Sequence, residues 1–191
     1  VLAHADAIAE TQENSDLILQ RMRGYNKDRA GETRVEHANL SFDDRYDLTL
    51  GGVGVQVLHL GPAHDPGDIQ VWIPDWNLMI AGDIAFHERM LPVFPHTCTK
   101  CWIETWQDKL EPLAPAYVIP GHGHPTNLPQ LRRYTLDYLV DLRAKVGAHI
   151  EDGGDLASAY YVDQVRWKRL DTFEELATKN AGRVFEEMEW E

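Results

Sequence analysis

The chain has 191 residues, 18 of them basic and 31 acidic, for a formal net charge of −13. That length suits one domain of roughly 150 residues with an appendage, large enough to bury about 70% of its unfolded surface without a disulfide or metal to hold it. A content of 43% hydrophobic and 26% charged residues is that of a globular chain. The acidic excess excludes nucleic acid or an anionic membrane as partners held by bulk charge. The longest stretches free of Asp, Glu, Lys and Arg, 48–64 and 112–131, are broken by Gly, Pro and His, so neither reads as a membrane span. Two cysteines make no disulfide framework, and the expectation is a soluble globular protein. The first residue is Val1 rather than Met and no signal peptide follows, which reads as a processed or truncated start.

In chain order, residues 6–23 have helical spacing that puts Ile8, Leu17, Ile18 and Met22 on one face. Residues 27–32 are polar and carry Gly31, a loop pattern. From Leu48 the period falls to two: Val53, Val55 and Val57 alternate with Gly54 and Gln56 behind a Gly51-Gly52 turn, which predicts a strand. A Gly- and Pro-rich loop over 61–68, a strand over 69–73, a turn at 74–77 and a strand over 78–81 complete a meander within a larger sheet. A helix over 102–110 and a buried strand over 117–119 come next. Asn127 then caps a helix with Pro129 just inside, and Leu131, Tyr134, Tyr138, Leu142 and Val146 form its apolar stripe until Gly153-Gly154 ends it. A further helix is expected over 155–170. A last one starts at Thr172, which pairs with Glu175 as a capping box.

Three positions share one design, in which a strand ends, Gly and Pro turn the chain, and a metal-capable side chain stands at the tip: His64, Asp83 and His122. Imidazole and carboxylate suit zinc or non-haem iron. Taken singly, each reads more readily as a loop histidine or a turn-capping carboxylate; three in this order favour a shared centre.

His64 within GPAHDPGD, the IQVWIP strand, LMIAGDIAF and YVIPGHGHP together resemble the second half of a metallo-β-lactamase-fold hydrolase, closely over residues 48–125. The resemblance implies an α/β fold, the αββα sandwich of that family. Residues 1–127 would form its second half, and residues 128–191 a helical C-terminal extension packed on the same domain. It implies that His64 is the third histidine of a first metal site, that Asp83 bridges two metals, and that His122 belongs to the second. Asp at the bridging position is like the glyoxalase II and ribonuclease Z branches, whereas zinc β-lactamases usually have Cys or Ser there. The implied activity is metal-dependent hydrolysis, in which hydroxide formed on Zn2+ (one ion or two, with iron as the alternative) attacks an ester, thioester, amide or related bond. The pKa of such a water falls from 15.7 toward about 7. Asp83 is the expected catalytic residue, orienting that nucleophile.

The departures are specific. The family's H-x-H-x-D-H signature is absent: His4-Ala5-Asp6-Ala7 echoes it without the first and last histidines, and the preferred reading puts the signature upstream of Val1. With His64, Asp83 and His122 alone, each metal has one histidine and a shared carboxylate and should bind weakly. Asp65 stands where the family usually has Thr or Ser, as a loop cap or an added ligand. Cys98-Thr99-Lys100-Cys101 has no second pair, and an incidental pair or a local disulfide outweighs a redox or metal role. His124 is read as a rim residue and His59 as a core histidine, while His37, His96 and His149 have no constellation. The segment from His87 to Phe94 either lines a substrate pocket or lies under the helical tail. That tail is unlike the glutathione-binding tail of glyoxalase II. It is more like the helical extension of bacterial hydrolases grouped near sulfur-oxidation and quinoprotein-relay proteins. A small-molecule substrate is the expected partner, with a second copy or a separate N-terminal half as the protein partner. Location stays open between bacterial periplasm and cytoplasm. The competing reading is a catalytically incomplete domain that keeps the fold and acts as a binding or assembly module.

Overall fold

The computed structural model describes residues 1–191. Strand β1 (Leu2–His4) runs directly into the 22-residue helix α1 (Ala5–Asn26), and β1 pairs in parallel with β2 (Leu40–Phe42). The valine alternation forms β4 (Val53–Leu58), joined to β3 (Arg45–Leu50) through Gly51 and Gly52, both at positive φ as a tight hairpin requires. β5 (Gln70–Ile73) and β6 (Leu78–Phe86) extend this meander, and β7 (Tyr117–His122) adds in parallel to give the sheet order β3-β4-β5-β6-β7. Two of these strands outrun their predicted ends. β6 continues past Ala81 to Phe86, and β7 continues past Ile119 to His122.

Between β6 and β7, α2 (Thr99–Thr105) passes through a π turn at Trp106–Leu110 into α3 (Glu111–Leu113). The C-terminal region contributes α4 (Leu128–Tyr134), α5 (Leu136–Glu151), the single turn α6 (Leu156–Ala159) and α7 (Phe173–Met188). Asn127 caps α4 as its sequence predicts, its side chain accepting from the Gln130 N–H at 3.0 Å.

Three expectations for this region need correction. The stripe from Leu131 to Val146 lies on two helices rather than one, because buried Thr135 turns its hydroxyl to the end of β6. Its Oγ1 accepts from the Phe86 N–H at 2.9 Å and donates to the Phe86 carbonyl at 3.0 Å. The helix expected over 155–170 is one turn, α6, and a 3-10 turn at Val165–Trp167, because Gln164 leaves the helical path to serve distant partners. It accepts from the Tyr138 hydroxyl at 3.0 Å and donates to the Ala177 carbonyl at 2.7 Å. Thr172 does precede α7, but at φ 64° and without a capping hydrogen bond; the capping box belongs to Asp155 and Ser158.

Met79, Ile84, Phe86 and Val118 from the strands pack with Trp102, Trp106, Leu110, Leu131, Leu142 and Val184 from the helices into one buried cluster of 26 residues. Helices thus cover one face of the sheet. On the other face β1–β2 lies near β4, where His4 stacks on His59 at 3.7 Å, while Ile80, Tyr117 and Ile119 stay exposed. The chain forms one α-layer and one sheet of a layered α/β sandwich. No helix is long and apolar enough to cross a membrane.

Candidate functional site

The sheet brings the three predicted residues to one end. His64 lies in the loop between β4 and β5 and is 5% exposed. Its carbonyl accepts from the Thr97 hydroxyl at 2.8 Å, and the preceding Pro62 carbonyl accepts from Thr105 at 2.8 Å, so the segment around α2 fixes the loop. Asp83 stands inside β6, beside a break in the β6–β7 register at Gly82. Gly82 adopts φ 63°, and such an irregularity re-aims the next side chain. The Asp83 carboxylate enters the space that a Cβ on Gly121 would need, so residue 121 must be glycine for it to stand there. His122 ends β7 with its Nε2 3.7 Å from Asp83 Oδ1. The buried Phe86 ring lies between the two histidines, with centroids 5.9 Å from His64 and 4.9 Å from His122.

Each histidine is held through Nδ1. His64 Nδ1 meets Asp65 Oδ2 at 2.9 Å, which leaves Nε2 free. His122 Nδ1 meets the Arg89 guanidinium at 3.1 Å, and since arginine has only donors, this nitrogen is the acceptor. Asp65 is thus a buttress rather than a loop cap, and its Oδ1 also pairs with His96 Nε2 at 2.5 Å. His96 escaped sequence reading because its partner is remote in the chain, and no spacing links the two.

Burial opposes charging of His64, but the hydrogen bond and charge of Asp65, with Asp83 and Asp68 behind it, raise its pKa above the ordinary value. Asp65 is held below the usual carboxylate range. Burial acts against this, but the His64 hydrogen bond and the charges of His64 and His96 prevail. Asp68 is pushed up to about 6, by burial first and then by the charges of Asp65 and Asp83.

Asp83 and His122 approach each other, but His64 does not complete a set of three whose ligand atoms all lie within 4.8 Å; two other groups do, His4, Asp6 and His59, and Glu10, Asp65 and His96. The His4 and His59 rings stack at 19°, so their in-plane lone pairs do not converge on one ion, and His59 Nδ1 is engaged by the Asp68 carbonyl at 2.8 Å. His124 pairs with exposed Glu88 at 2.6 Å, in keeping with a rim position. Cys98 and Cys101 form a disulfide at the start of α2. In the segment after β6, Met90, Leu91 and Val93 are buried under the helical tail, whereas the Phe94 ring is exposed, edge-on to His64 at 5.1 Å. Beyond Phe94 a groove of about 880 Å³ runs between α1 and α7, lined by Leu17, Ile18, Tyr25, His96, Leu176 and Arg183 among others.

Comparison with known proteins fits this architecture. The profile of the metallo-beta-lactamase superfamily matches residues 2–131. The chain belongs to that superfamily. Its resemblance to the family over the motifs around His64, Asp83 and His122 is borne out at the level of fold, an α/β metallo-β-lactamase fold with a helical C-terminal region. A metallo-beta-lactamase type 2 of Bacteroides fragilis is 29% identical over 86 residues, which are 43% of this chain and 34% of that protein. The chain therefore spans about a third of that curated relative. A stereoselective inverting sec-alkylsulfatase from Pseudomonas sp. superposes with a TM-score of 0.61 at 17% identity, over 82% of this chain and 27% of that one. A metallo-beta-lactamase family protein from Thermus thermophilus superposes with a TM-score of 0.60 at 16% identity, over 100% of this chain and 65% of that one. At these identities the superpositions establish the fold alone. Superfamily membership carries a metal-dependent hydrolase fold.

Proposed function

We propose that this chain contributes to a metal-dependent hydrolase centre in which His64, Asp83 and His122 hold zinc or iron, as one ion or two. Its substrate is a small molecule with an ester, thioester, amide or related bond. The observation that carries this reading is the Asp83–His122 pair, set in place by the Gly82 irregularity and the bare Gly121. Ligand atoms sharing one zinc ion tetrahedrally are about 3.4 Å apart, and His122 Nε2 and Asp83 Oδ1 are separated by 3.7 Å. His64 fits as well, since its Nδ1 is occupied and its Nε2 free. His122 fits with one adjustment: ligation through Nε2 places its proton on Nδ1, which ends the hydrogen bond from Arg89.

A metal bound there would supply Lewis acidity and a more acidic water. The chain's own groups do the rest. Asp65 fixes the His64 ring, Asp83 offers a carboxylate to orient a nucleophile, and buried Phe86 keeps solvent from beneath the site. The groove beyond Phe94 gives a small molecule room alongside.

The second reading, a domain that keeps the fold but binds without catalysis, is favoured by Arg89, whose hydrogen bond to His122 holds the tautomer unsuited to ligation. Elemental mass spectrometry without added metal separates the two. One or two zinc or iron per chain supports the centre, and a ratio near zero favours the binding module. In a metal-loaded preparation Asp83→Ala should reduce hydrolysis to background with an unchanged circular dichroism spectrum; undiminished hydrolysis would falsify the assignment.

A further inference from the structure

Helix α1 is long but poorly secured. It has 22 residues, buries none of them, and leaves Leu17, Ile18 and Met22 exposed, so apolar burial does not hold it to the body. It meets the body closely at its first turn, where the bare backbone of Gly67 in the His64 loop makes room for Ala7. A Cβ on Gly67 would stand 2.4 Å from the Ala7 nitrogen. Glu10 lies one turn further along the same face of the helix, which brings its carboxylate to Asp65 in that loop.

A third segment arrives at the same point. The turn 94–97 is closed by the Thr97 N–H, which donates to the Phe94 carbonyl at 3.0 Å, and by the Phe94 N–H, which donates to Thr97 Oγ1 at 3.1 Å. The Thr97 hydroxyl pins this turn to the His64 carbonyl at 2.8 Å. The turn presents His96, whose Nε2 lies 2.5 Å from Asp65 Oδ1. Ligand atoms of Glu10, Asp65 and His96 therefore lie within 4.8 Å of one another, although they come from three separate stretches of chain.

Charge at this point is unbalanced. Neither Glu10 nor Asp65 pairs with a lysine or arginine, and Asp65 faces histidines alone, His64 on one oxygen and His96 on the other. Asp68 adds a further carboxylate, its Oδ2 accepting from the Asp65 N–H at 3.1 Å. One imidazole with two carboxylates suits a divalent transition metal such as zinc better than calcium, which prefers an all-oxygen shell. Ligand atoms sharing one zinc are about 3.4 Å apart. Small side-chain rotations reach that spacing, since His96 is exposed and Glu10 only half-buried. Both line the groove beside α1, which gives an ion its path and a water the fourth position.

We propose that Glu10, Asp65 and His96 bind a divalent transition metal ion, zinc by preference, that clips α1 to the body and is separate from any ion at Asp83 and His122. The ion takes the place of the proton between Asp65 and His96, which leaves to solvent. The other oxygen of Asp65 stays on His64 Nδ1, so the clip also steadies that ring from behind. The site does not depend on metal being held by Asp83 and His122.

The test starts from chelator-treated Asp83→Ala, in which the candidate centre is disabled. Isothermal titration with zinc chloride should show one ion bound per chain. Adding His96→Ala should weaken that binding by at least about tenfold, because loss of even an outer partner of a metal costs roughly 10–100-fold; Glu10→Gln should do the same. Hydrogen exchange gives a readout that affinity alone does not. Zinc at about ten times its dissociation constant should slow exchange of the α1 amides by roughly tenfold in Asp83→Ala and leave them unchanged in Asp83→Ala/His96→Ala. His96 is outside α1 and exposed, so neither a local nor a folding defect predicts that loss. Equal zinc affinity with and without His96, or α1 amides indifferent to zinc, overturns the proposal. The two metal readings also separate. Zinc lost through Asp83→Ala but not through His96→Ala refutes the clip and keeps the centre. Zinc lost through His96→Ala but not through Asp83→Ala refutes the centre and keeps the clip.

Discussion

The first 44 residues and the rest of the chain hold their structure by different means. Helix α1 has 22 residues and buries none of them, and the face expected to turn inward leaves Leu17, Ile18 and Met22 exposed. Helices α5 and α7 have 16 residues each and bury five and six respectively. They share a polar hub in which Asn180 Oδ1 accepts from the Val93 N–H while its Nδ2 donates to the Leu91 carbonyl and the Tyr138 hydroxyl. An amphipathic pattern therefore makes a helix in both regions, but only the second is given something to pack against. The candidate site lies at the seam: Gly67 in the His64 loop fits closely against Ala7 at the start of α1, and Glu10 on α1 approaches Asp65 and His96.

The comparison breaks first if the body proves soft. Trp106 is fully buried, and Trp106→Ala should destabilise the chain by about 3–5 kcal/mol in urea unfolding. A loss below about 1 kcal/mol would mean that the body is no better packed than the arm. Asn180→Leu strands the Val93 N–H and the Leu91 carbonyl in the core, and should lose about 2–3 kcal/mol, together with hydrogen-exchange protection at Val93.

At the seam the expected sign reverses. Asp68 titrates near 6 when folded, against 3.8 as its ordinary value, so the folded state holds the proton more tightly and stability falls as pH rises through that window. Asp68→Asn keeps an acceptor for the Asp65 N–H and should stabilise the metal-free chain by about 1–2 kcal/mol at pH 7.5, with no gain at pH 3. Equal stability of the two proteins at both pH values would show that the carboxylate is not strained. The smallest effect belongs to the arm. Leu17→Ala should change stability by less than about 0.5 kcal/mol, because little packing is lost and alanine favours the helix. A larger loss would mean that α1 docks in solution.

What could be read in advance was local. Strands β4 and β5, the start of β6, the Gly51-Gly52 hairpin and the Asn127 cap depend on neighbours within a few residues, and they stand where their patterns put them. The misread helix over 155–170 and the break at Thr135 both depend on side chains that satisfy distant backbone: Gln164 reaching Ala177, and Thr135 reaching Phe86. No period in the sequence records such a bond. The site divides the same way. His64, Asp83 and His122 stand out because glycines surround them, whereas His96 and the contact of Arg89 with His122 arise only when remote segments meet.

The fit of Asp83 against Gly121 constrains how this protein can evolve. The two positions cannot drift independently, since any side chain at 121 collides with the carboxylate while Asp83 is present. The constraint is one-sided. Asp83 can shorten to serine or alanine while Gly121 stays, but a methyl group at 121 is not admitted even then, because it would stand 2.8 Å from the Gly82 carbonyl carbon and 2.9 Å from its oxygen. Alanine at 121 would have to move the β6 backbone as well as the carboxylate. The chemistry at position 83 is thus free to change in a lineage, whereas the bare backbone beside it outlasts that chemistry.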